Sequence, residues 1–385
     1  LIPRDRPYPA LNPDFKPKRL NPNQISVCET INSLQMKNNF SAILLQGVTG
    51  SGKTEVYLEA VANALRKGEQ VLVLLPEIAL TSEFFNRVKN RFGENPAEWH
   101  SGVTPAERRR VWKMVASGGA KLVIGARSSL FLPFMNLGLI VIDEEHDHSY
   151  KQEDGVIYNA RDMAVLRASI EMFTVILASA TPSLESWVNA KSGKYNHVKI
   201  HERYGEAALP ILSIIDLRKE NLKSDEWISD RLEKSVTECL QNGEQTLLFL
   251  NRRGYSPITV CRACGNQISC DQCDARMVEH RFISRLMCHQ CGHTKPMPNK
   301  CPSCGIIGKL AVVGPGVERL AEEAQIKFPK AKISVLSSDL YGSAKSIKDE
   351  IQKISAGNTD IIIGTQLVAK GHNFPKLRLV GVIDI

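Results

Sequence analysis

The sequence predicts an α/β protein made of two lobes, each with a parallel β-sheet, and a small two-zinc insertion in the second lobe. Short apolar runs alternate with amphipathic helical segments along the 385 residues, a pattern typical of parallel sheets covered by helices on both faces. A glycine-rich loop stands between the first apolar run and the next helix. Eight of the ten cysteines form four Cys-x-x-Cys pairs between Cys261 and Cys304, which indicates metal binding rather than disulfides.

The composition is that of an ordinary globular protein. Aromatic residues make up 6% and charged residues 23% of a chain long enough for two or three domains. The chain has no run of about 18 apolar residues and does not begin like a signal peptide, so we expect a cytoplasmic protein with no membrane partner. The formal net charge of +8 favours a nucleic-acid partner, but only modestly for a chain of this length.

The predicted first lobe comprises residues 23–204 and follows a basic, proline-rich linker at residues 1–22, or an arm left by removal of something upstream. Strands are predicted at residues 42–45, 70–75, 121–126, 139–143 and 175–179, and helices at residues 25–34, 54–66, 81–92 and 104–114. Ligands of such sheets bind at the carboxyl ends of the strands, so the residues that follow these runs are candidates for chemistry.

The loop after the first strand is a predicted P-loop, Gly47-Val48-Thr49-Gly50-Ser51-Gly52-Lys53-Thr54. Its glycines let backbone N–H groups point at phosphate oxygens, Lys53 can reach the β- and γ-phosphates, and the Thr54 hydroxyl can ligate Mg²⁺. The N-terminus of the following helix favours the same anion. A turn that binds nothing could carry the same residues, but the flanking strand and helix favour nucleotide binding.

Acidic residues follow another buried strand, where an apolar run enters Asp143-Glu144-Glu145-His146. Asp143 can hold the Mg²⁺ whose other ligand is Thr54, and Glu144 can orient and deprotonate an attacking water. Acidic residues at strand ends are often only helix caps, but a cluster downstream of a P-loop favours catalysis. The hydroxyl pair in Ser179-Ala180-Thr181 is suited to relaying contacts from this site, although a simple turn explains it equally well.

The pattern restarts at about residue 205, which predicts a second lobe over residues 205–258 and 308–385 without a P-loop of its own. Its strands are predicted at residues 245–250, 333–336, 360–364 and 379–383, with helices at residues 229–241 and 316–327. The last predicted strand runs almost to Ile385, so we expect this lobe to be incomplete.

The four cysteine pairs lie in a predicted insertion at residues 259–307, and each pair can place two thiolates on one tetrahedral zinc. Of three possible pairings, the one with familiar spacing joins Cys270 and Cys273 to Cys288 and Cys291. It leaves Cys261 and Cys264 to meet Cys301 and Cys304 in an outer site. Three histidines nearby, His280, His289 and His293, are then expected to be surface residues.

Charge and size set two further expectations for this insertion. Basic residues exceed acidic ones by three between residues 259 and 307, but a zinc held by four thiolates carries a net charge of about −2. The loaded segment is therefore near neutral and is not expected to be a DNA-binding patch. Because it has little core of its own, we expect it to unfold without metal.

These motifs together resemble the PriA family of replication-restart helicases (primosomal protein N′), within superfamily 2. The resemblance covers residues 24–385 and rests on GVTGSGKT, LLPEIALT, HSG, RSSLF, IDEEHD, SYKQ, YNARDMA, SAT, NRRGY, the nested cysteine pairs and GTQLVAKGHNFP. It implies two RecA-like lobes, ATP and Mg²⁺ as nucleotide and metal, two Zn²⁺ ions, and 3′→5′ unwinding of DNA at stalled forks. It also implies a monomer whose partners are forked or single-stranded DNA, primosome proteins and single-stranded DNA-binding protein.

The same resemblance implies roles for individual residues. Gln24 would recognise adenine, a role for which the residue alone is weak evidence because a glutamine near a helix start is more often a cap. Lys53, Asp143 and Glu144 would serve ATP hydrolysis. Residues that couple DNA to the nucleotide would be Arg127, His148, Tyr150, Lys151, Tyr158, Thr181, Thr365, Gln366 and Lys370.

Departures from the family pattern set the last expectations. The sequence has no counterpart of the upstream DNA-binding regions or of the arginine-bearing last helicase motif and C-terminal domain. Because such an arginine is worth about 10³–10⁵ in rate, we expect this chain to bind ATP but to hydrolyse it slowly. Two alternatives stay open: a truncated, non-catalytic zinc-bearing scaffold, and a different superfamily 2 translocase.

Overall fold

The computed structural model divides the chain into two compact units, Leu1–Pro210 and Ile211–Ile385. The residues that the structure describes are 7–37, 39–76, 82–201, 210–220, 222, 226–250, 258–273, 275–280, 285–288, 290–313, 317–336, 344–365, 368 and 374–384. None of the helices within these ranges is long and apolar enough to cross a membrane.

The first unit alternates helices and strands. Its helices are α1 Pro22–Gln35, α2 Lys53–Arg66, α3 Ser82–Phe92, α4 Pro105–Ala116, α5 Ala160–Glu171 and α6 Leu184–Lys191. Its strands are β1 Ser41–Gly47, β2 Gln70–Leu74, β3 Ala97–Trp99, β4 Leu122–Gly125, β5 Leu137–Asp143, β6 Lys151–Gln152, β7 Tyr158–Asn159, β8 Thr174–Ser179 and β9 Asn196–Ile200.

Seven of these strands form one parallel sheet in the order β3-β4-β2-β5-β8-β1-β9. Its register aligns Gln46 of β1 with Ser179 of β8, and Asp143 of β5 with Ala178 of β8. The carboxyl ends of β1, β8 and β5 therefore lie side by side at one edge of the sheet. This is the edge at which ligands of parallel sheets bind.

The core of the first unit lies on both faces of this sheet, because side chains alternate along each strand. Ile43 and Leu45 of β1 pack in a cluster with α1, α2 and α3, whereas Ala42 and Leu44 pack in a second cluster with α4 and α5. All four are essentially inaccessible to solvent. Burial of a large apolar side chain such as leucine or isoleucine stabilises the fold by about 1.5–3 kcal/mol. The sheet is therefore stabilised by apolar packing on both faces.

The proline-rich segment before α1, predicted as a linker, contacts the first unit from residue 8 onward. The Asn12 backbone N–H donates to the Phe92 carbonyl at 3.0 Å, and Arg91 donates to the Pro13 carbonyl at 2.6 Å. Asn21 then caps α1 through its side chain, and Pro22 opens the helix. This stretch is therefore attached to the end of α3, while the predicted boundary at residue 22 coincides with the start of α1.

The second unit contains a smaller parallel sheet in the order β16-β17-β10-β18. Its helices are α7 Asp230–Gln241, α8 Val317–Lys327 and α9 Ala344–Ser355, and its strands are β10 Gln245–Leu250, β16 Ile333–Leu336, β17 Ile361–Gly364 and β18 Leu377–Asp384. Alternate residues of β17 again face opposite ways, with Ile361 and Ile363 in one cluster and Ile362 in the other.

The cysteine-rich segment forms its own antiparallel sheet in the order β14-β13-β12-β11-β15. These strands are β11 Ile258–Cys261, β12 Val278–His280, β13 Arg285–Met287, β14 Thr294–Pro296 and β15 Leu310–Val313. Strands β11 and β15 pair along four residues, so the segment begins and ends at one two-stranded stem. Its small core includes Met277 and Leu286 together with the cysteines themselves.

The predicted α/β fold with parallel sheets is confirmed, and the predicted strands occur with ends shifted by one or two residues. The sequence prediction missed β3, β9, α5, α6 and α9, as well as the short strands β6 and β7 and the strands β11 to β15 of the cysteine-rich segment. Strand β9 has only two buried residues, Val198 and Ile200, and α5 exposes Leu166 and Ile170. Their apolar periodicity is therefore weak, which is why the pattern did not identify them.

Candidate nucleotide-binding and metal sites

The predicted P-loop joins β1 to α2 at the edge where the strands end. Gly50 and Gly52 adopt φ angles of 80° and 82°, a left-handed conformation that favours glycine. A Cβ atom on Gly47 would lie 2.5 Å from the Ser51 hydroxyl oxygen, so a side chain would also clash there. The sequence pattern thus matches the backbone geometry that a phosphate cradle needs.

Lys53 lies within this loop and is 8% exposed. Its ammonium group donates to the Gly47 carbonyl at 2.8 Å, and burial lowers the pKa of this group, an effect that Glu144 and Asp143 oppose. The Ser51 hydroxyl is also buried and has no hydrogen-bond partner among the described residues. A buried cation and an unsatisfied hydroxyl in a glycine-rich loop are the groups that bound phosphates would satisfy.

A tyrosine that the sequence analysis did not single out contacts one of the predicted magnesium ligands. Tyr57 is fully buried in α2 and donates to a carboxylate oxygen of Asp143 at 2.9 Å. Burial raises the pKa of Tyr57, an effect that the Thr54 side chain opposes, so the helix that carries Thr54 is bonded to Asp143 through Tyr57. The available signal was the spacing, because Tyr57 follows Thr54 by three residues, about one helical turn.

The carboxyl group of Asp143 has a raised pKa. Burial, followed by the neighbouring carboxylate of Glu144, raises the pKa of Asp143 to about 6, while the Tyr57 hydrogen bond and Lys53 act in the opposite direction. A carboxylate at the end of a buried strand with so few protein cations around it is suited to a divalent metal ion.

Glu144 has an unusual backbone, with a φ angle of 49°. Non-glycine residues in this region cost about 1–3 kcal/mol and cluster at functional sites. Its backbone N–H donates to Asp143 Oδ1 at 3.0 Å, and its carboxylate lies 3.6 Å from His146 Nδ1. Glu144 is half-exposed, so its carboxylate is accessible to a reacting water.

His146 connects the acidic turn to the end of β8. Its Nδ1 atom lies 2.8 Å from the Ser179 hydroxyl, which also accepts a hydrogen bond from the Thr181 backbone N–H at 3.1 Å. The Ser179-Ala180-Thr181 segment thus contacts the acidic cluster through His146. This is the segment that the sequence analysis considered suited to relaying contacts from the acidic cluster.

Glu145 is a second residue that sequence reasoning missed. Its side chain is fully buried, accepts hydrogen bonds from the Ser183 N–H at 2.7 Å, the Ser183 hydroxyl at 2.9 Å and the Ser186 hydroxyl at 2.8 Å, and lies 3.5 Å from Arg161 Nη1. Glu145 therefore fixes the N-terminus of α6. Its distant partners could not be read from the sequence.

Gln24 occupies the position predicted for adenine recognition, but its amide is engaged within the protein. Its side-chain oxygen accepts from the Asn21 N–H at 2.9 Å, and its Nε2 donates to the Ser51 carbonyl at 2.9 Å. Gln24 is 1% exposed. The cap that was weighed against adenine binding is present, and Gln24 ties the start of α1 to the P-loop; the adenine role stays a prediction.

The residues predicted to couple DNA to the nucleotide divide into anchors and exposed groups. The Tyr150 hydroxyl is buried, 2.6 Å from the Asp143 carbonyl and 3.0 Å from the Leu74 carbonyl. Arg127 donates to the carbonyls of Ser149 and Lys151 at 3.3 and 2.9 Å. These two residues therefore hold the loop after the acidic cluster in place.

The remaining members of this set lie elsewhere. His148, Lys151 and Thr181 are exposed, and Tyr158 packs edge-on against Phe131 with the ring centroids 5.1 Å apart. In the second unit Thr365 is buried, whereas Gln366 and Lys370 lie outside the described residues.

The eight cysteines of the four pairs form two clusters, with the nesting favoured from the sequence. Cys261, Cys264, Cys301 and Cys304 form one, and Cys270, Cys273, Cys288 and Cys291 form the other, with all sulfur atoms of a set within 4.8 Å of one another. Contacts across the pairs measure 3.6 and 3.7 Å in the first set, and 3.5 and 3.4 Å in the second. Tetrahedral zinc with Zn–S bonds of about 2.3 Å separates sulfurs by about 3.8 Å, so both sets fit Zn²⁺.

Each cluster favours the thiolate at one position and the thiol at others. Hydrogen bonds, first from the backbone N–H of Cys291 and of Cys304 respectively, lower the pKa of Cys288 and of Cys301, whereas hydrogen bonds with neighbouring cysteines raise the pKa of Cys273 and of Cys304. Zinc binds the thiolate form. His293 belongs to neither set and lies 3.8 Å from Asp271, which agrees with its predicted place outside the ligands.

Comparisons with known proteins agree with this geometry. Residues 21–189 match the model of the DEAD/DEAH box helicase family, and residues 270–296 match that of the PriA DNA helicase Cys-rich region domain. The chain is 47% identical over 341 residues to the replication restart protein PriA of Rickettsia felis, which covers 89% of this chain and 53% of the relative. It is 39% identical over 370 residues to the replication restart protein PriA of Bacillus subtilis, an alignment that covers 96% of this chain and 46% of the relative. The chain thus spans about half the length of the curated relatives it matches.

Solved structures share the fold at low sequence identity. The DUF1998 helicase MrfA bound to DNA aligns with a TM-score of 0.55 at 15% identity, covering 94% of this chain and 44% of that protein. RecG bound to a three-way DNA junction aligns with a TM-score of 0.55 at 17% identity, covering 95% of this chain and 38% of that protein. These similarities support two helicase-type parallel-sheet units.

Proposed function

Because this chain belongs to the PriA family of replication restart proteins, we propose that it is the ATP-binding core of a DNA helicase that acts in replication restart. The observation that carries the proposal is the hydrogen bond from the Tyr57 hydroxyl, three residues after the P-loop, to Asp143 of the acidic cluster. Thr54 and Asp143 are 89 residues apart in the sequence, and this bond supports a shared site for the two motifs.

We assign the following roles to the residues of this site. The P-loop backbone and Lys53 bind the phosphates, and Gln24 holds the loop against α1 and reads adenine. Thr54 and Asp143 would hold Mg²⁺, which supplies charge neutralisation at the β- and γ-phosphates. Glu144 accepts the proton of the attacking water.

We propose forked or single-stranded DNA as the polymer on which this core moves, in the 3′→5′ direction. Primosome proteins and single-stranded DNA-binding protein are the proposed partners, and the zinc-bearing segment is the surface proposed to meet them. The protein is proposed to act as a monomer in the cytoplasm.

Nucleotide binding and DNA-stimulated phosphate release by the wild type and Lys53→Ala test this function. We expect Mg²⁺-dependent ATP binding that Lys53→Ala weakens at least about tenfold, because a buried charge-assisted contact to phosphate is lost. Lys37→Ala is the matched control, since Lys37 is exposed at the other edge of the sheet. If the wild type bound ATP no better than Lys53→Ala, the enzyme assignment would be wrong and the scaffold alternative would remain.

A further inference from the structure

A groove lined by basic residues lies on the first unit, outside the site described above. One wall is the extended segment that carries Lys16, Lys18 and Arg19, and the other is α3, which contributes Arg87. The cavity measures about 640 Å³. Its floor includes Glu55, in the first turn of α2, so the groove opens near the P-loop.

The described lining of the groove includes neither Gln24 nor a residue of the P-loop. Along the groove, Glu55 and Glu59 of α2 meet Arg87 and Arg91 of α3, with N–O distances of 4.0 and 2.8 Å. The end of α1 contacts α2 elsewhere, through Gln35, whose side chain donates to the Ala60 carbonyl at 3.2 Å.

The wall that carries the lysines is held in place. The buried Arg91 guanidinium donates to the Pro13 carbonyl at 2.6 Å, and the Lys16 backbone N–H donates to the Arg91 carbonyl at 3.4 Å. The Asp14 carboxylate pairs with Arg66 at 2.5 Å. These contacts fix the backbone of residues 13–16, the stretch that leads into Lys18 and Arg19 beside α3.

Positive charge in the groove is in excess. Glu59 neutralises Arg91, which leaves Lys16, Lys18, Arg19 and Arg87 facing the single carboxylate of Glu55 among the described residues that line the cavity. Lys16, Lys18 and Arg19 make no ion pair within the described part of the chain. Four cations held in one trough raise the local potential and attract a polyanion.

The lining also indicates the chemistry of the ligand. Asn86 and Asn90 add amide donors, and Pro17 is the apolar contribution to the described lining. Pockets for uncharged small molecules are predominantly apolar, whereas sugar-phosphate backbones are bound by arginine, lysine and asparagine side chains.

We propose that this basic groove binds the phosphate backbone of the DNA on which the protein acts, an inference that rests on the proposed function. Each phosphate that a lysine or arginine neutralises releases counterions, so the logarithm of the binding constant falls with the logarithm of salt by about 0.7 per contact on single strands. Loss of two contacts would lower that slope by about 1.4, equivalent to roughly 25-fold weaker binding near 0.1 M salt.

The test compares two double variants of equal charge change in the full chain. Lys18→Gln with Arg19→Gln alters the groove, and Lys37→Gln with Lys194→Gln removes two exposed cations at the opposite edge of the sheet. Binding of a fluorescent single-stranded oligonucleotide is titrated by anisotropy between about 50 and 200 mM salt, and ATP binding is measured in parallel. We expect the shallower slope in the groove variant alone, with ATP affinity equal in both.

Each other outcome overturns the inference in a distinguishable way. An unchanged slope in the groove variant, or an equal change in the control, means that the groove makes no phosphate contact of its own. A selective loss of ATP affinity assigns the groove to the nucleotide instead. A wild-type chain that binds ATP but shows no salt-dependent DNA binding overturns the proposed DNA substrate together with the groove.

Discussion

Replacing Glu145 by glutamine tests whether the acidic cluster is anchored through α6. Glu145 is fully buried, and its two carboxylate oxygens accept three hydrogen bonds from Ser183 and Ser186 within 2.9 Å. Arg161 lies 3.5 Å away and is itself largely buried. Glu145→Gln keeps the volume but removes the charge and turns an NH₂ group toward donors.

The expected cost follows from these contacts. Hydrogen bonds to a charged acceptor contribute about 1.5–3 kcal/mol each, against about 0.5–1.5 kcal/mol for neutral ones. Arg161 keeps Asp162 and Glu185 as partners at the surface, so it is not left wholly unpaired. We therefore expect Glu145→Gln to lower the free energy of unfolding by about 2–4 kcal/mol.

Glu185→Gln is the matched control, because Glu185 lies 3.6 Å from the same guanidinium but is 70% exposed. An exposed ion pair contributes about 0–1 kcal/mol, so this variant should unfold nearly as the wild type does. Urea unfolding followed by circular dichroism measures both. Equal midpoints for Glu145→Gln and Glu185→Gln would refute the reasoning, since they would mean that the buried acceptor contributes no more than a surface charge.

Three further predictions concern other parts of the molecule. Because the pKa of Asp143 is raised to about 6, the folded protein binds this proton more tightly than the unfolded chain, and stability falls as pH rises through that value. Without Mg²⁺, Asp143→Asn should be more stable than wild type by about 1–3 kcal/mol at pH 7 in urea unfolding, with no difference near about pH 4; a constant difference would contradict this. The Tyr57 hydroxyl lowers the pKa of Asp143, so Tyr57→Phe should move the pH midpoint of Mg²⁺-dependent ATP binding upward. An unchanged midpoint would mean that the hydrogen bond from Tyr57 to Asp143 does not affect this titration. Cys288→Ser should reduce bound zinc from two ions to one per chain, measured by metal analysis, whereas Cys239→Ser, buried but outside both clusters, should retain two.

The sequence predicted the features that depend on neighbours along the chain. The P-loop required only its own glycines and flanking elements, and the nesting of Cys270 and Cys273 with Cys288 and Cys291 followed from spacing. Tyr57 and Glu145 could not be identified in this way. Tyr57 looks like one more residue of an amphipathic helix, and its partner Asp143 is 86 residues away; the partners of Glu145 are about 40 residues away. Pairings across a sheet edge are set by strand order, which local patterns do not encode.

Edge elements were missed for a related physical reason. Strand β9 pairs with β1 on one side and buries only alternate residues, and β3 is three residues long. Hydrophobic periodicity needs several turns or alternations to rise above chance. Elements that complete a sheet through hydrogen bonds more than through apolar burial are therefore not detected by hydrophobic periodicity. Strand β9 is an example, although its Ile200 lies against Gly47 of the P-loop.

The acidic cluster is attached to several elements of the first unit at once. Three of its residues are bonded to different elements: Asp143 to α2 through Tyr57, Glu145 to α6, and His146 to the end of β8 through Ser179. Tyr150, from the loop that follows, also lies on the Asp143 carbonyl. Because a close-packed site has few ways to absorb a shift, we expect a displacement of that loop or of the segment after β8 to move Asp143 and Glu144. The backbone of Glu144, with its positive φ angle, lies between these anchors.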